Sequence, residues 1–191
     1  GGVLYLRDRA SPSSTGRNAT SGITRGTGEV RDVEPSYDGT RLVFAMHEPL
    51  VPGADPEDQP TWDIWQYVVA TRELSRVITS DTVARQGNDI APHYLPDGRI
   101  VFSSTRQRQS KAILLDEGKP QFEAQDESDG EPAFVLHVMN ADGSDLRQVS
   151  FNQSHDLDPA VLPDGRIVFS RWDRAPGHDE ISLYTMRPDG S

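Results

Sequence analysis

Leu-Pro-Asp-Gly-Arg-Ile-Val-Phe-Ser stands at 95–103 and again, unchanged, at 162–170, and Tyr37-Asp-Gly-Thr-Arg-Leu-Val-Phe-Ala45 is a looser third copy. A repeat of this kind decides the fold before any single residue does. Like units, each unable to bury its own apolar face, must stack on one another. The copies share one grammar. Asp-Gly makes a turn, because glycine accepts positive φ and aspartate bonds its own backbone. A short apolar strand ending in Phe44, Phe102 or Phe169 follows. A proline precedes the turn Asp by five residues in two copies (Pro92, Pro159) and by three in the first (Pro35).

Aligned on those prolines, the periods are 57 and 67 residues, longer than the roughly 40–50 of a four-stranded propeller blade. The excess lies in polar segments after the repeated strand, at 46–61 and 105–132, and only 172–179 stands there in the third copy. Third strands are expected at 62–70, 133–140 and 180–187, and fourth strands at 74–79 and 146–150. Asn140-Ala-Asp-Gly-Ser and Arg187-Pro-Asp-Gly-Ser supply second turns. Near the N-terminus, 3–7 reads as another third strand and 23–25 as part of a fourth, joined by a Ser/Gly-rich link at 11–22.

Each unit therefore reads as strand a after the proline, a tight turn, strand b, an insertion, strand c, a turn and strand d. Strand b is apolar at consecutive positions (Ile100-Val101-Phe102, Ile167-Val168-Phe169), which in an antiparallel sheet demands cover on both faces. Radially stacked blades provide it. The fold class expected is all-β, a β-propeller of four-stranded antiparallel blades. Residues 1–30 end one blade, 31–80 and 81–150 form two with insertions, and 151–191 begin another. That is about three and a half blades, a part of a larger ring of roughly six to eight.

Composition excludes several functions. No window approaches the roughly 18 apolar residues of a membrane span, and the start lacks the basic-then-apolar order of a signal peptide. The net charge of −11, from 30 acidic and 19 basic residues, repels nucleic acid and anionic membrane. With no Cys, thiolate metal sites, Cys nucleophiles and Cys-x-x-Cys-His haem attachment are unavailable. No Gly-x-Ser-x-Gly, His-Glu-x-x-His or phosphate-binding glycine loop occurs.

Loops of an up-and-down sheet alternate between its ends, so the b–c insertions and d–a links converge on one rim, where binding residues concentrate. An Asp stands three residues before each proline: Asp32, Asp89 and Asp156. Such regularity favours a structural task where units join, such as accepting backbone N–H groups. Residues that break the repeat are better functional candidates. Asp156 and Asp158 would point the same way on an extended chain and could serve as ligands to Ca²⁺. The binding-face candidates are Asp32, Asp89, His93, His155, Asp156, Asp158 and Trp172. His47, His137 and His178 show no ligand spacing.

The Pro-Asp-Gly-Arg-Ile-Val-Phe-Ser phrases, with Leu-His-Val-Met-Asn-Ala-Asp-Gly-Ser-Asp-Leu-Arg-Gln-Val-Ser at 136–150, resemble the TolB-type, WD-like propeller repeat. Ala91-Pro-His-Tyr-Leu-Pro-Asp-Gly-Arg-Ile-Val-Phe-Ser-Ser-Thr-Arg-Gln, Val33-Glu-Pro-Ser-Tyr-Asp-Gly and Asn152-Gln-Ser-His-Asp-Leu-Asp-Pro are similar to the middle propeller of proteins related to hydrazine synthase alpha subunit. That resemblance implies a periplasmic or otherwise extracytoplasmic bacterial setting. It places any c-type haem outside this chain, so no cofactor is expected within it. The expected function is a non-catalytic scaffold or binding module for a protein partner or a neighbouring domain. The alternatives are the propeller of a multihaem redox enzyme and the propeller of a serine peptidase.

Overall fold

The computed structural model describes residues 2–128, 130–175 and 177–191, and the side chain of His178 lies outside the described set. Among these residues the strands form separate antiparallel sheets. β1 (Tyr5–Leu6) pairs β2 (Arg17–Asn18). Sheet I runs β3 (Glu29–Pro35), β4 (Arg41–His47), β5 (Asp63–Val68), β6 (Glu73–Arg76). Sheet II runs β7 (Asp89–Tyr94), β8 (Ile100–Ser104), β9 (Val135–Met139), β10 (Arg147–Gln148). Sheet III holds β11 (Asp156–Val161), β12 (Ile167–Ala175) and β13 (His178–Met186). Neighbours in sequence are neighbours in space, as Asp-Gly turns demand.

The first strand of each sheet packs on the face of the sheet before it: β7 lies on β3, β4 and β5, and β11 on β7, β8 and β9. Consecutive apolar residues on the second strand thus face opposite cores. Ile100 and Phe102 point into the I–II core with Val43, Ala45 and Ile64, while Val101 points into the II–III core with Phe169 and Ile167. A third core sits between sheet I and the N-terminal pair, around Phe44, Met46 and Tyr67. Backbone hydrogen bonds fix the stacking. Asp89 N donates to Trp62 O and Asp156 N to Phe134 O, each at 2.8 Å. The second turn of a sheet also abuts the sheet before it: a Cβ on Gly143 would lie 2.3 Å from Val77 O, and one on Gly190 2.9 Å from Val149 O.

Each first strand carries a bulge, and it corrects the proline alignment. Register shifts fall between Arg31 and Glu34, Ile90 and His93, and Leu157 and Ala160. Asp32, Ala91 and Asp158 occupy them with φ of 56°, 51° and 49°. Matched through Val43, Val101 and Val168 on the second strands, Asp32 is therefore the equivalent of Ala91 and Asp158, and Val30 that of Asp89 and Asp156. Pro35 is two residues out of step with Pro92 and Pro159 because the bulge, not the proline, holds the repeat together. The first strand also includes the Asp and proline that were expected to precede it.

Three elements differ from the sequence reading. Residues 23–25 do not form a strand: Ser21–Thr24 is one helical turn, α1, and the strand pairing β1 is Arg17–Asn18, within the expected link. The 105–132 insertion contains a helix, α3 (Arg108–Asp116). Its run of Arg, Gln, Lys, Ala and Leu is made of good helix formers and stops before Gly118. Residues 172–179 are not an insertion, because β12 and β13 pair continuously from Ile167↔Met186 to Ala175↔His178. Trp172 consequently sits inside a strand. A short helix, α2 (Asp81–Ala84), links sheets I and II, with Ser80 Oγ capping Val83 N.

Candidate functional site

The bulged strands bring Asp32, His93 and Asp158 to one cleft of about 240 Å³, together with Glu34. Glu34 and His93 are bulge-flanking equivalents on neighbouring strands, and His93 Nδ1 lies 3.6 Å from Glu34 Oε1. Burial holds the imidazole below its ordinary pKa, opposed by Glu34, Asp32 and Asp158. Asp32 Oδ2 accepts the N–H of Ala91 at 3.0 Å, across the sheet junction. The left-handed backbone at Asp32 and Asp158 suits aspartate, which tolerates this region better than most residues.

Asp89 and Asp156 do not reach that cleft. Both are fully buried and each holds an arginine, Arg106 just past the end of β8 and Arg171 within β12. Asp89 accepts Arg106 Nε at 3.1 Å and Nη2 at 2.5 Å, and Arg106 continues to Ser104 Oγ and Val83 O. Asp156 accepts Arg171 Nε and Nη2 at 2.7 and 2.9 Å. Forked geometry of this kind makes a strong charge-assisted pair. Burial pushes the Asp89 carboxyl up, and Arg106 pulls it back. The bulge after Leu157 also separates the two carboxylates expected to act together: Asp156 turns inward to Arg171 and Asp158 is exposed. No cluster of three or more His, Asp or Glu side chains able to hold a metal occurs among the described residues.

His155 and Trp172 form a ladder with Phe134. The rings stack at centroid distances of 6.0 Å (Phe134 to His155) and 6.3 Å (His155 to Trp172). His155 Nδ1 accepts Phe134 N, so the ring is fixed by the chain it covers. Trp172 Nε1 donates to Asp179 Oδ1 at 2.6 Å, and the Arg174 guanidinium lies over the indole at 5.3 Å.

Two pockets open where an insertion meets the link to the next sheet. Beside sheet II, α3 and the link after β10 enclose about 370 Å³ lined by Ile113, Leu114, Phe122 and Phe151. Beneath it, buried Gln107 bonds Ala124 and Ala133 carbonyls and the Ala124 N–H, which ties the insertion to the core. Beside sheet I, residues 48–61 and α2 enclose about 420 Å³ with a polar lining. The sequence reading placed a binding rim here but named none of these residues. The apolar pair Ile113-Leu114 within a helix-forming run was the available signal.

No protein-family model matches the chain, and no curated protein matches it in sequence. Its structure is similar to that of Kuenenia stuttgartiensis hydrazine synthase, with a TM-score of 0.64 and 16% identity over 94% of this chain and 26% of that one. TolB from Acinetobacter baumannii gives a TM-score of 0.56 at 17% identity over 98% of this chain and 35% of that one. A prolyl endopeptidase gives 0.54 at 16% identity over 97% and 24%. The chain thus spans about a quarter to a third of the length of these structures. TolB and hydrazine synthase are β-propeller proteins, so the stacked antiparallel sheets described above have a propeller-type fold.

Proposed function

We propose that this chain is a non-catalytic binding and scaffold module of a larger extracytoplasmic bacterial protein, docking a protein partner or neighbouring domain through the rim that carries its insertions. The observation that carries this reading is the apolar pocket of α3, whose walls include the exposed rings of Phe122 and Phe151. Exposed aromatics around a concave apolar surface are what a partner's side chains bury. The TolB-like fold supports the binding role. No helix is long and apolar enough to cross a membrane. Sheet III supports a further sheet stacked on it in the larger protein, because its outer face repeats the apolar positions that sheets I and II bury.

The test removes the rim without touching the core. Because Arg106 and Gln107 are buried, the replaceable segment is 108–123 rather than the whole of 105–132. A Gly/Ser linker there should leave the β-sheet circular dichroism signal and cooperative melting intact. It should abolish capture of the partner by the full-length protein. Unchanged capture would overturn the reading. A second reading, the propeller of a multihaem enzyme related to hydrazine synthase, is supported by that fold likeness. Covalent haem on the full-length protein in a haem-stained gel would establish it.

A further inference from the structure

The pocket beside sheet I has the opposite chemistry to that of α3. Its insertion side presents Glu48, Glu57 and Asp58, its floor Asp63 from β5, and its far wall Asp81 from α2. Two cations, Arg76 and Arg85, face these five carboxylates. Arg76 is already committed. It donates to Ile78 O at 2.8 Å and to Thr79 O at 3.2 Å, pairs with Asp81, and approaches Asp63 Oδ2 only to 3.6 Å. Asp63 is 9% exposed, and its Oδ1 is buried without a hydrogen-bond partner. Trp65 supplies an aromatic wall.

A buried carboxylate oxygen lacking a donor is costly in a folded protein, and a charged donor that reaches it is bound correspondingly well. We infer that this pocket binds the cationic head of an organic ammonium or guanidinium group, with the Asp63 carboxylate, turned to bring its unpartnered Oδ1 to the donor, as the anchoring acceptor and the insertion carboxylates as its counter-charge. The volume is ample for such a head and a short alkyl stem, and the tryptophan ring offers cation–π support. The head could belong to a free small amine or to a Lys or Arg side chain of a partner. The inference rests on the rim being a binding face, but not on the pocket of α3.

Protonation provides a control. Burial first, then the neighbouring Asp89 carboxylate, raise Asp63 to about 6, against the pull of Arg76 and Arg106. Arg76 from β6, Asp81 from α2, Arg85 just after it, Asp89 from β7, Arg106 after β8 and the insertion carboxylates are the charged groups around Asp63. At pH 7.5 Asp63 is ionised and accepts the cation, and at pH 5 it is protonated and does not.

Calorimetric titration of the full chain with agmatine, and separately with an acetylated Arg-Gly-Gly amide, tests this. Saturable binding of either should weaken about tenfold or more in Asp63→Asn, the factor a charge-assisted hydrogen bond carries. It should weaken similarly between pH 7.5 and 5. Glu57→Gln, on the exposed insertion, should weaken it about two- to threefold and serves if Asp63→Asn does not fold. Agmatine binding alone identifies a free amine as the ligand, and peptide binding identifies a partner side chain. No saturation by either up to about 10 mM, or affinity indifferent to both variants, overturns the inference. A failed titration beside intact partner capture would sink this inference alone, and lost capture beside a successful titration would sink the proposed function alone.

Discussion

Asp89 shows how much one side chain can decide at a sheet junction. Its carboxylate and the Arg106 guanidinium are both buried, so truncating Asp89 to Ala strands a positive charge away from water. We expect this to cost ~3–5 kcal/mol in urea-unfolding free energy. Asp32→Ala, which removes an acceptor for the Ala91 N–H at a partly exposed site, should cost only about 1 kcal/mol. The two aspartates looked equivalent in the sequence because both stand three residues before a proline. Counting back from the Asp-Gly turn instead aligns Asp89 with Val30 and exposes the two-residue offset. The arginines were harder to find, since Arg106 and Arg171 read as ordinary charges and only the folded sheets bring each against its Asp, Arg171 across from Asp156 in the β11–β12 pair and Arg106 from just past β8.

The turns were legible as elements and their packing was not. Asp-Gly announces the bend at both Gly98 and Gly143, with φ of +89° and +82°. Only the structure shows open space around the first and the Val77 carbonyl against the second. Gly98→Ala should therefore cost about 1 kcal/mol, the conformational penalty alone. Gly143→Ala adds overpacking against sheet I and should cost about 2–4 kcal/mol. Equal losses in thermal or urea unfolding would show that the two turns are alike after all. Apolar runs and turns identified the strands of sheets I and II, because burial on both faces leaves an unbroken hydrophobic string. α3 and the continuation of the β12–β13 hairpin through 172–179 escaped because polarity alone was taken to mean loop. Both are surface elements whose polar residues face water.

At the scale of the molecule, the repeat exposes a face that its own logic covers elsewhere. Ile64, Leu136 and Leu183 are equivalent, each paired to the residue after the repeated Val-Phe. Ile64 and Leu136 are 1% and 0% exposed under the next sheet, whereas Leu183 is 77% exposed beside Ile181. The isolated 191-residue chain should accordingly self-associate with rising concentration. Leu183→Lys should shift it toward monomer in light-scattering chromatography without lowering its melting temperature. A wild-type chain that stays monomeric throughout would contradict this. The stacked architecture itself was readable from the sequence, since it follows from a period and a pattern rather than from any contact.

The three left-handed bulge residues have a consequence for change over time. Asp32, Ala91 and Asp158 share one backbone geometry yet differ in side chain, and they stand around the same cleft. The scaffold holds its shape there chiefly through main-chain pairing, and among these side chains Asp32 adds a single bond, to the Ala91 N–H. Small residues compatible with that geometry (Asp, Asn, Ala, Gly) can be exchanged one position at a time, making the cleft a place where selectivity can drift while the architecture is inherited intact.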